Sequence, residues 1–437
     1  MIEIAEFASR RDRFRQQMAE NTVAVFPANV EVTRSRDTEY HFRQDSDFHY
    51  LTGFHEPDAV LIIANGEQPQ TILFCREKDK LMETWTGRRV GPEKAAEAFS
   101  FDAAYPLSNL DDELLEQING KDGIYVANGQ YDAFDALIQK TISTLRANPK
   151  KGYTAPGVQY DSRLITAEMR LIKSPAEIDV MVRSCEIAGD AHNNVMKTVA
   201  PGQYEYQVEA GINHHFAMNG ARHPAYASIV GGGENACILH YTENSDVLND
   251  GDLLLIDAGG EYQGYAADIT RTIPVNGQFS EPQKKIYQLV LDAQLAAMEF
   301  YRPGATLKQA SDAAIRVLTT GLVDLGLLSG DVDTLIEENA FKAFYMHGLG
   351  HWLGLDVHDV GVYKIHGEER PLEPGMVITI EPGLYISEDS DVDDCWKGIG
   401  VRIEDDILIT ENGHRNLTAH VPKTIDAVEA FMAEARR

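Results

Sequence analysis

Two aspartates, Asp257 and Asp268, sit in LLLIDAGGEYQGYAADITRT, where two β-rich runs flank a glycine-rich centre. If the chain turns at Tyr262 and Gln263, Asp257 falls directly opposite Asp268 on one face of a hairpin, with Cβ atoms ~5 Å apart. Carboxylates that close repel unless a proton or a cation lies between them, so the pair suggests a metal. An acid at a strand end beside a glycine turn is the alternative, of equal weight for this segment alone.

Downstream, MHGLGHWLGLDVHDVG places His347, His351 and His358 within twelve residues. His347 and His351 have the spacing of a zinc-binding helix, but no glutamate follows His347 and the glycines Gly348, Gly350 and Gly354 disfavour a helix. Glycines around a histidine instead point to backbone passing close to other groups, with the imidazole offered from a turn. Any one of these histidines is as well read as a hydrogen-bonded structural residue; three together favour a site.

Glu381 interrupts the apolar run VITIEPGLYI, which Pro382-Gly383 ends, and Glu404 lies in GVRIEDDILIT. Glu404-Asp405-Asp406 could be a solvated charge run. Ile403 and Ile407 bracket it, however, and Arg402, two residues from Glu404, would face the same side of a strand and support its carboxylate. A buried carboxylate costs several kcal/mol unless it is paired or ligates a metal, so acids inside apolar strands are informative. Four carboxylates with one or more imidazoles suit a hard or borderline divalent ion, Mn(II) first, with Co(II) and Zn(II) as alternatives. Two ions ~3.5 to 4 Å apart would use all four acids and would acidify a water.

The elements that must hold these residues fall into two sets. Up to about residue 170, β-rich runs at 22–26, 59–66, 71–75 and 123–129 alternate with helical stretches, as in a small α/β domain. Ile4, Phe7, Phe14 and Met18 recur at helical spacing among charges and predict a surface helix rather than a targeting segment. Ser174-Pro-Ala-Glu then supplies an N-cap, a first-turn proline and a capping-box glutamate. We therefore divide the chain into domains 1–172 and 173–437, the second α+β. Its predicted helices are 175–199, 203–219, 282–301, 306–326 and 334–344, and its strands 225–230, 252–259, 264–275, 375–386 and 400–410.

Composition excludes other classes. Of 437 residues, 43% are hydrophobic and 24% charged, so the chain is globular, and 39 Lys and Arg against 68 Asp and Glu leave a net charge of -29. Such a charge repels nucleic acid and anionic lipid. No run approaches the ~20 apolar residues of a membrane helix. Cys75, Cys185, Cys237 and Cys395 form no CxxC and read as reduced thiols, which fits the cytoplasm.

In this order, the segments with Asp257, Asp268, His351, Glu381 and Glu404 resemble the pita-bread metallopeptidases, which include methionine aminopeptidase, prolidase and aminopeptidase P. The resemblance implies a C-terminal pita-bread domain with those five residues as ligands of two metal ions, Asp268 and Glu404 lying between both. It makes His240 in ACILHYTEN, with His347 and His358, substrate-binding and proton-handling groups, and Arg402 the arginine beside the last ligand. FRQDSDFHYLTGFHEPDAVLII is similar to the N-terminal domain shared by aminopeptidase P, prolidase and creatinase, so nearly the whole chain is covered. VFPANVEVTRSRDTEYHFRQDSDFHYLTGF with GGGENACILHYTEN looks closest to aminopeptidase P.

The implied activity is release of the N-terminal residue from peptides with proline second, through attack by a metal-bridging hydroxide. Glu381 would act as base, and His240 and His358 would donate to the oxyanion. Proline bound in a peptide offers no N–H, so selectivity must come from shape. Trp85, Tyr226 and Tyr385 are candidate walls for the ring, although core packing or a subunit contact would also explain Trp85. The N-terminal domain would serve oligomerisation and site closure, in a homo-dimer or homo-tetramer. Prolidase, acting on Xaa-Pro dipeptides, is the alternative enzyme, and a non-catalytic peptide-binding protein the alternative without chemistry.

Overall fold

The computed structural model describes residues 2–435. The chain forms two compact units, one of residues 2–170 and one beginning at Leu171.

The first unit is built on a six-stranded mixed sheet with the order Ala103–Pro106, Gln70–Cys75, Val60–Ala64, Thr22–Pro27, Gly123–Val126, Val158–Asp161. The three central strands pair antiparallel and the outer ones parallel. Val23, Val25, Ile62 and Phe74 of the sheet pack against Leu114 and Ile142 of covering helices. The helix Ile4–Gln17 is less superficial than its charges predict, because Arg10 and Arg11 are buried with Phe7 and Phe14. Arg10 donates to the Tyr50 carbonyl and Arg11 to the Leu51 carbonyl. Both oxygens end the helix Ser46–Thr52, where positive charge is favoured. Trp85, in the helix Lys80–Thr86, is 78% exposed, so core packing does not explain it.

In the second unit the helix Pro175–Thr198 starts with the capping box expected of Ser174 and Glu177. Helices Glu205–Met218, Glu281–Met298 and Leu307–Asp324 follow near their predicted places. The fifth is shorter, Val332–Glu337 followed by a 3-10 turn at Ala340–Ala343. The predicted strand 225–230 instead runs Ile229–Gly232.

Three long predicted strands are each broken in two, always beside an acid. The stretch 264–275 forms Tyr265–Ala266 and Thr270–Pro274, leaving Asp268 between them. Likewise 375–386 forms Val377–Ile380 and Gly383–Ile386 around Glu381, and 400–410 forms Ile399–Arg402 and Asp405–Thr410 around Glu404. Ile380 pairs with Asp405 on one side of the interruption and Gly383 with Arg402 on the other, so Glu381 stands opposite Glu404.

The expected turn at Tyr262 and Gln263 is displaced by one residue. Tyr262 pairs with Tyr265, and the turn residues are Gln263 and Gly264, at φ +52° and +86°. Two successive positive φ values suit a residue followed by glycine and not a leading tyrosine. Asp257 consequently pairs with Thr270 rather than Asp268. The register moves by two residues, an even shift, so both aspartates stay on one face.

Candidate active site

Asp257 ends the strand Leu253–Asp257, and Asp268 lies in the break just before its partner Thr270–Pro274. Tyr226 brings the two together: its hydroxyl lies 2.6 Å from Asp257 Oδ1 and 2.7 Å from Asp268 Oδ1. Burial and the charges of both aspartates push the Tyr226 phenol well above its ordinary value, so it remains a donor. The other oxygen of Asp257 accepts from Arg402 Nη2 at 2.6 Å.

Arg402 supports Glu404 through its charge and not through a direct hydrogen bond. The ladder breaks between the two residues, and the guanidinium is spread over Asp257, Tyr385 and Thr270. Thr270 links them indirectly: its Oγ1 accepts from Arg402 Nε at 3.1 Å and donates to Glu404 Oε2 at 2.7 Å.

The His347–His351 segment is irregular and runs beside the strand Val377–Ile380. The Glu381 N–H donates to the Leu349 carbonyl, the His351 N–H to Thr379 Oγ1, and the Thr379 N–H to the His351 carbonyl. A Cβ on Gly350 would overlap the Thr379 carbonyl, so this glycine allows the close approach its sequence context suggests. His351 Nδ1 lies 3.0 Å from the Trp352 carbonyl. Donation there fixes the tautomer and leaves Nε2 as the ligating atom. That atom is 3.4 Å from Asp268 Oδ2 and 3.7 Å from Glu381 Oε1.

His347 and Tyr385 belong to a directed chain. Arg402 Nη1 donates to the Tyr385 hydroxyl at 3.0 Å, and that hydroxyl lies 2.8 Å from His347 Nε2. His347 Nδ1 is 2.8 Å from the Gly348 carbonyl, which requires the proton on Nδ1. Burial and Arg402 lower His347 to about 4, so the ring is neutral at pH 7. Tyr385, expected as a wall for a ring, is 3% exposed and spends its hydroxyl in this chain.

Tyr226, Asp257, Asp268, His347, His351 and Glu381 line one cavity of about 580 Å³, together with His240, His358, Arg402 and Glu404. Ile229, Leu239 and Val357 supply an apolar wall that the sequence reading did not single out. Asp268, His351 and Glu404 each present a ligand atom within 4.8 Å of the others. The electrostatics ask for a cation. Burial, Asp268 and Glu381 push Glu404 well above the carboxylate range, burial and Asp257 raise Asp268, and burial drives Glu381 up to about 8. Bringing a divalent ion among them relieves that repulsion.

Two supports had little signal in the sequence. Asp406 Oδ2 accepts from the Asp268 N–H at 3.0 Å and from Cys185 Sγ at 3.2 Å. His192 Nε2 lies 3.0 Å from the carbonyl of Ala258, the residue after Asp257. All three acids of the Glu404-Asp405-Asp406 run are buried, which rules out a solvated charge run.

Buried acids that repel one another beside an apolar-walled cavity are what a metal-dependent hydrolase needs to hold its ions beside a substrate. The chain belongs to metallopeptidase family M24, which it matches over residues 179–411, and residues 7–125 match the N-terminal domain of aminopeptidase P. It is 48% identical over 434 residues to the Xaa-Pro aminopeptidase of Escherichia coli strain K12, covering 99% of this chain and 98% of that protein. The Haemophilus influenzae Xaa-Pro aminopeptidase is 50% identical over 428 residues, with 98% and 97% covered. A zinc-substituted E. coli aminopeptidase P in complex with product matches with a TM-score of 0.98 at 48% identity, covering 100% of this chain and 99% of that one. The smaller N-terminal α/β domain and the C-terminal pita-bread domain are those of aminopeptidase P structures.

Proposed function

We propose that this protein releases the N-terminal residue from peptides with proline at the second position, using two divalent metal ions held by Asp257, Asp268, His351, Glu381 and Glu404. The observation that carries the reading is the convergence of these five side chains on one apolar-walled cavity, where Asp268, His351 and Glu404 already present clustered ligand atoms. Asp268 and Glu404 would serve both ions. When bound, the ions would supply Lewis acidity, acidifying a water and polarising the scissile carbonyl. Mn(II) suits the oxygen-rich donor set best, with Co(II) and Zn(II) as alternatives.

The chain's own residues have separate tasks. Arg402 and Tyr226 orient Asp257 from both sides. Glu381, on the cavity wall with its carboxylate freed of its proton once metal is bound, would take a proton and pass it to the leaving nitrogen. His240 and His358, both on the cavity wall, would donate N–H to the developing oxyanion. Neutral His347, held by Tyr385, would orient the substrate. Ile229, Leu239 and Val357 offer apolar contact to a substrate whose proline has no N–H to read.

The exposed Trp85 supports a homo-dimer or homo-tetramer in which the N-terminal domain makes contacts and helps close a site. Sedimentation finding a fully active monomer would end that part of the proposal. The four cysteines are free, which fits a reducing cytoplasm. Among the described residues no helix is long and apolar enough to cross a membrane. The activity is tested on metal-stripped protein with matched Xaa-Pro and Xaa-Pro-Yaa peptides, with and without Mn(II). Metal-dependent cleavage of the tripeptide after its first residue is expected; cleavage of the dipeptide alone would reassign the protein to prolidase.

A further inference from the structure

Behind the two glutamates lies a buried amide to which no role has yet been given. Gln294 projects from the helix Glu281–Met298 and is 0% exposed. Its Oε1 lies 2.8 Å from Lys423 Nζ. An ammonium only donates, so this contact settles which end of the amide is oxygen. The nitrogen end then faces the Ile380 carbonyl at 3.2 Å, the Ile403 carbonyl at 3.1 Å and Asp405 Oδ2 at 3.2 Å.

Those two carbonyls belong to the peptide groups that enter Glu381 and Glu404. The N–H of the first group donates to the Leu349 carbonyl, and the N–H of the second to the Thr270 carbonyl. Each peptide plane is thus pinned at both ends: its N–H by a neighbouring segment, its C=O by the single nitrogen of Gln294. At this point the hairpin ladder is interrupted and Pro382 has no N–H to give, so between the flanking pairs one bond, from the Ile403 N–H to the Pro382 carbonyl at 3.3 Å, joins the strands directly.

We propose that Gln294 is a positioning residue that sets the distance between Glu381 and Glu404, and thereby the occupancy of the second of two metal positions. The inference rests on the reading that these glutamates hold the ions. Lys423 and Asp405, an ion pair at 2.6 Å, hold the amide in turn. A side chain of similar length without donors would leave both carbonyls to drift, and a carboxylate that must reach two ions tolerates drift less than one serving a single ion.

The test compares wild type with Gln294→Met and Gln294→Asn, the latter keeping the amide but withdrawing it by one methylene. Mn(II) uptake is followed by calorimetry, and the pair of ions by electron paramagnetic resonance, in which two bridged Mn(II) give an exchange-coupled signal and a single ion gives six lines. Wild type is expected to bind two ions with the coupled signal. Gln294→Met is expected to keep the first ion within about threefold and to weaken the second at least tenfold, with six lines replacing the coupled signal. Equal weakening of both ions, or an unchanged coupled pair, overturns the inference. If Gln294→Met does not fold, Gln294→Asn decides by the same criteria. Wild-type protein taking up fewer than two ions would remove the dinuclear reading, and the inference with it, an outcome distinct from two ions in every variant.

Discussion

Loading the site with metal should expel protons, because its ligands hold protons that metal must replace. Ligation needs a neutral imidazole and ionised carboxylates. In the metal-free site burial works against a charged His351, yet the hydrogen bond and charge of Asp268 and the charge of Glu381 push the ring up to about 9. Burial, partly offset by His351 and reinforced by Asp268, pushes Glu381 up to about 8. These groups stand in one another's field, so the protons belong to the site as a whole. At pH 7 both groups are largely protonated, and Glu404, pushed well above the carboxylate range, adds to them, so at least two protons leave when metal binds. Removing them costs about 3 kcal/mol at His351 and about 1 kcal/mol at Glu381, so these two groups alone lower apparent affinity ~1,000-fold. The sign is that of competition: affinity rises with pH, by at least ~100-fold per unit between pH 6 and 7. Calorimetry of Mn(II) binding at pH 6.5, 7.0 and 7.5, in pairs of buffers with different ionisation heats, counts the protons directly. Release of fewer than one proton per site at pH 7, or an affinity independent of pH, would refute the assignment of His351 and Glu381 as ligands.

The same two groups predict how the metal-free protein responds to pH. Both bind protons more tightly folded than unfolded, so the stability they contribute is present below their ordinary values and lost as pH rises through about 8 and about 9. Scanning calorimetry should show the melting temperature of stripped protein falling from pH 6.5 to 9 and Mn(II) restoring it; a rising melting temperature would contradict the charge balance. His240→Ala, with full metal content, should lose about 2.7 to 4 kcal/mol of transition-state stabilisation, or ~100- to 1,000-fold in kcat. Near-normal turnover would remove His240 from the oxyanion role. Gly350→Ala would drive a methyl into the Thr379 carbonyl, so we expect a displaced His351 and reduced metal content by elemental analysis. Arg271→Met would take one of two cationic partners from Asp405, whose Oδ1 lies 2.7 Å from Arg271 Nη2 with both side chains buried. Breaking such a pair costs about 3 to 5 kcal/mol in urea unfolding, and Lys423, still bound to the other oxygen, places the loss at the lower end.

What could be read from the sequence was whatever depends on residue type and local spacing. Acids inside apolar strands marked Asp257, Asp268, Glu381 and Glu404, and glycines around His351 marked a close backbone approach that Gly350 makes. The register of the first hairpin was misread because it hangs on a single turn, and positive φ at Gln263 and Gly264 is a property of the folded chain. Partners far apart in sequence had no local trace. Arg402 lies near Glu404 in sequence but is bound to Asp257, and Thr270, Gln294 and Asp406 become supports only once strands and helices have packed. Tyr385 looked like an aromatic wall because composition says nothing of where a hydroxyl points.

The interrupted hairpins explain why so many carboxylates can be tolerated in a core. In an unbroken antiparallel ladder each backbone group is spent on the partner strand, and an inward acid meets only apolar neighbours. Where the ladder stops, the freed backbone bonds elsewhere: Glu381 to Leu349, Glu404 to Thr270 and Asp268 to Asp406. Each of these bonds ties an acid to a third segment, so the carboxylates are held by the fold rather than by one another. Gly259 belongs to the same device, since a Cβ there would overlap the Ala267 carbonyl just before Asp268. The two breaks use different means, a glycine in one hairpin and Pro382 in the other, and reach the same end. Two pairs of acids are kept close against their mutual repulsion, and the free energy stored in that closeness is what a divalent cation can recover.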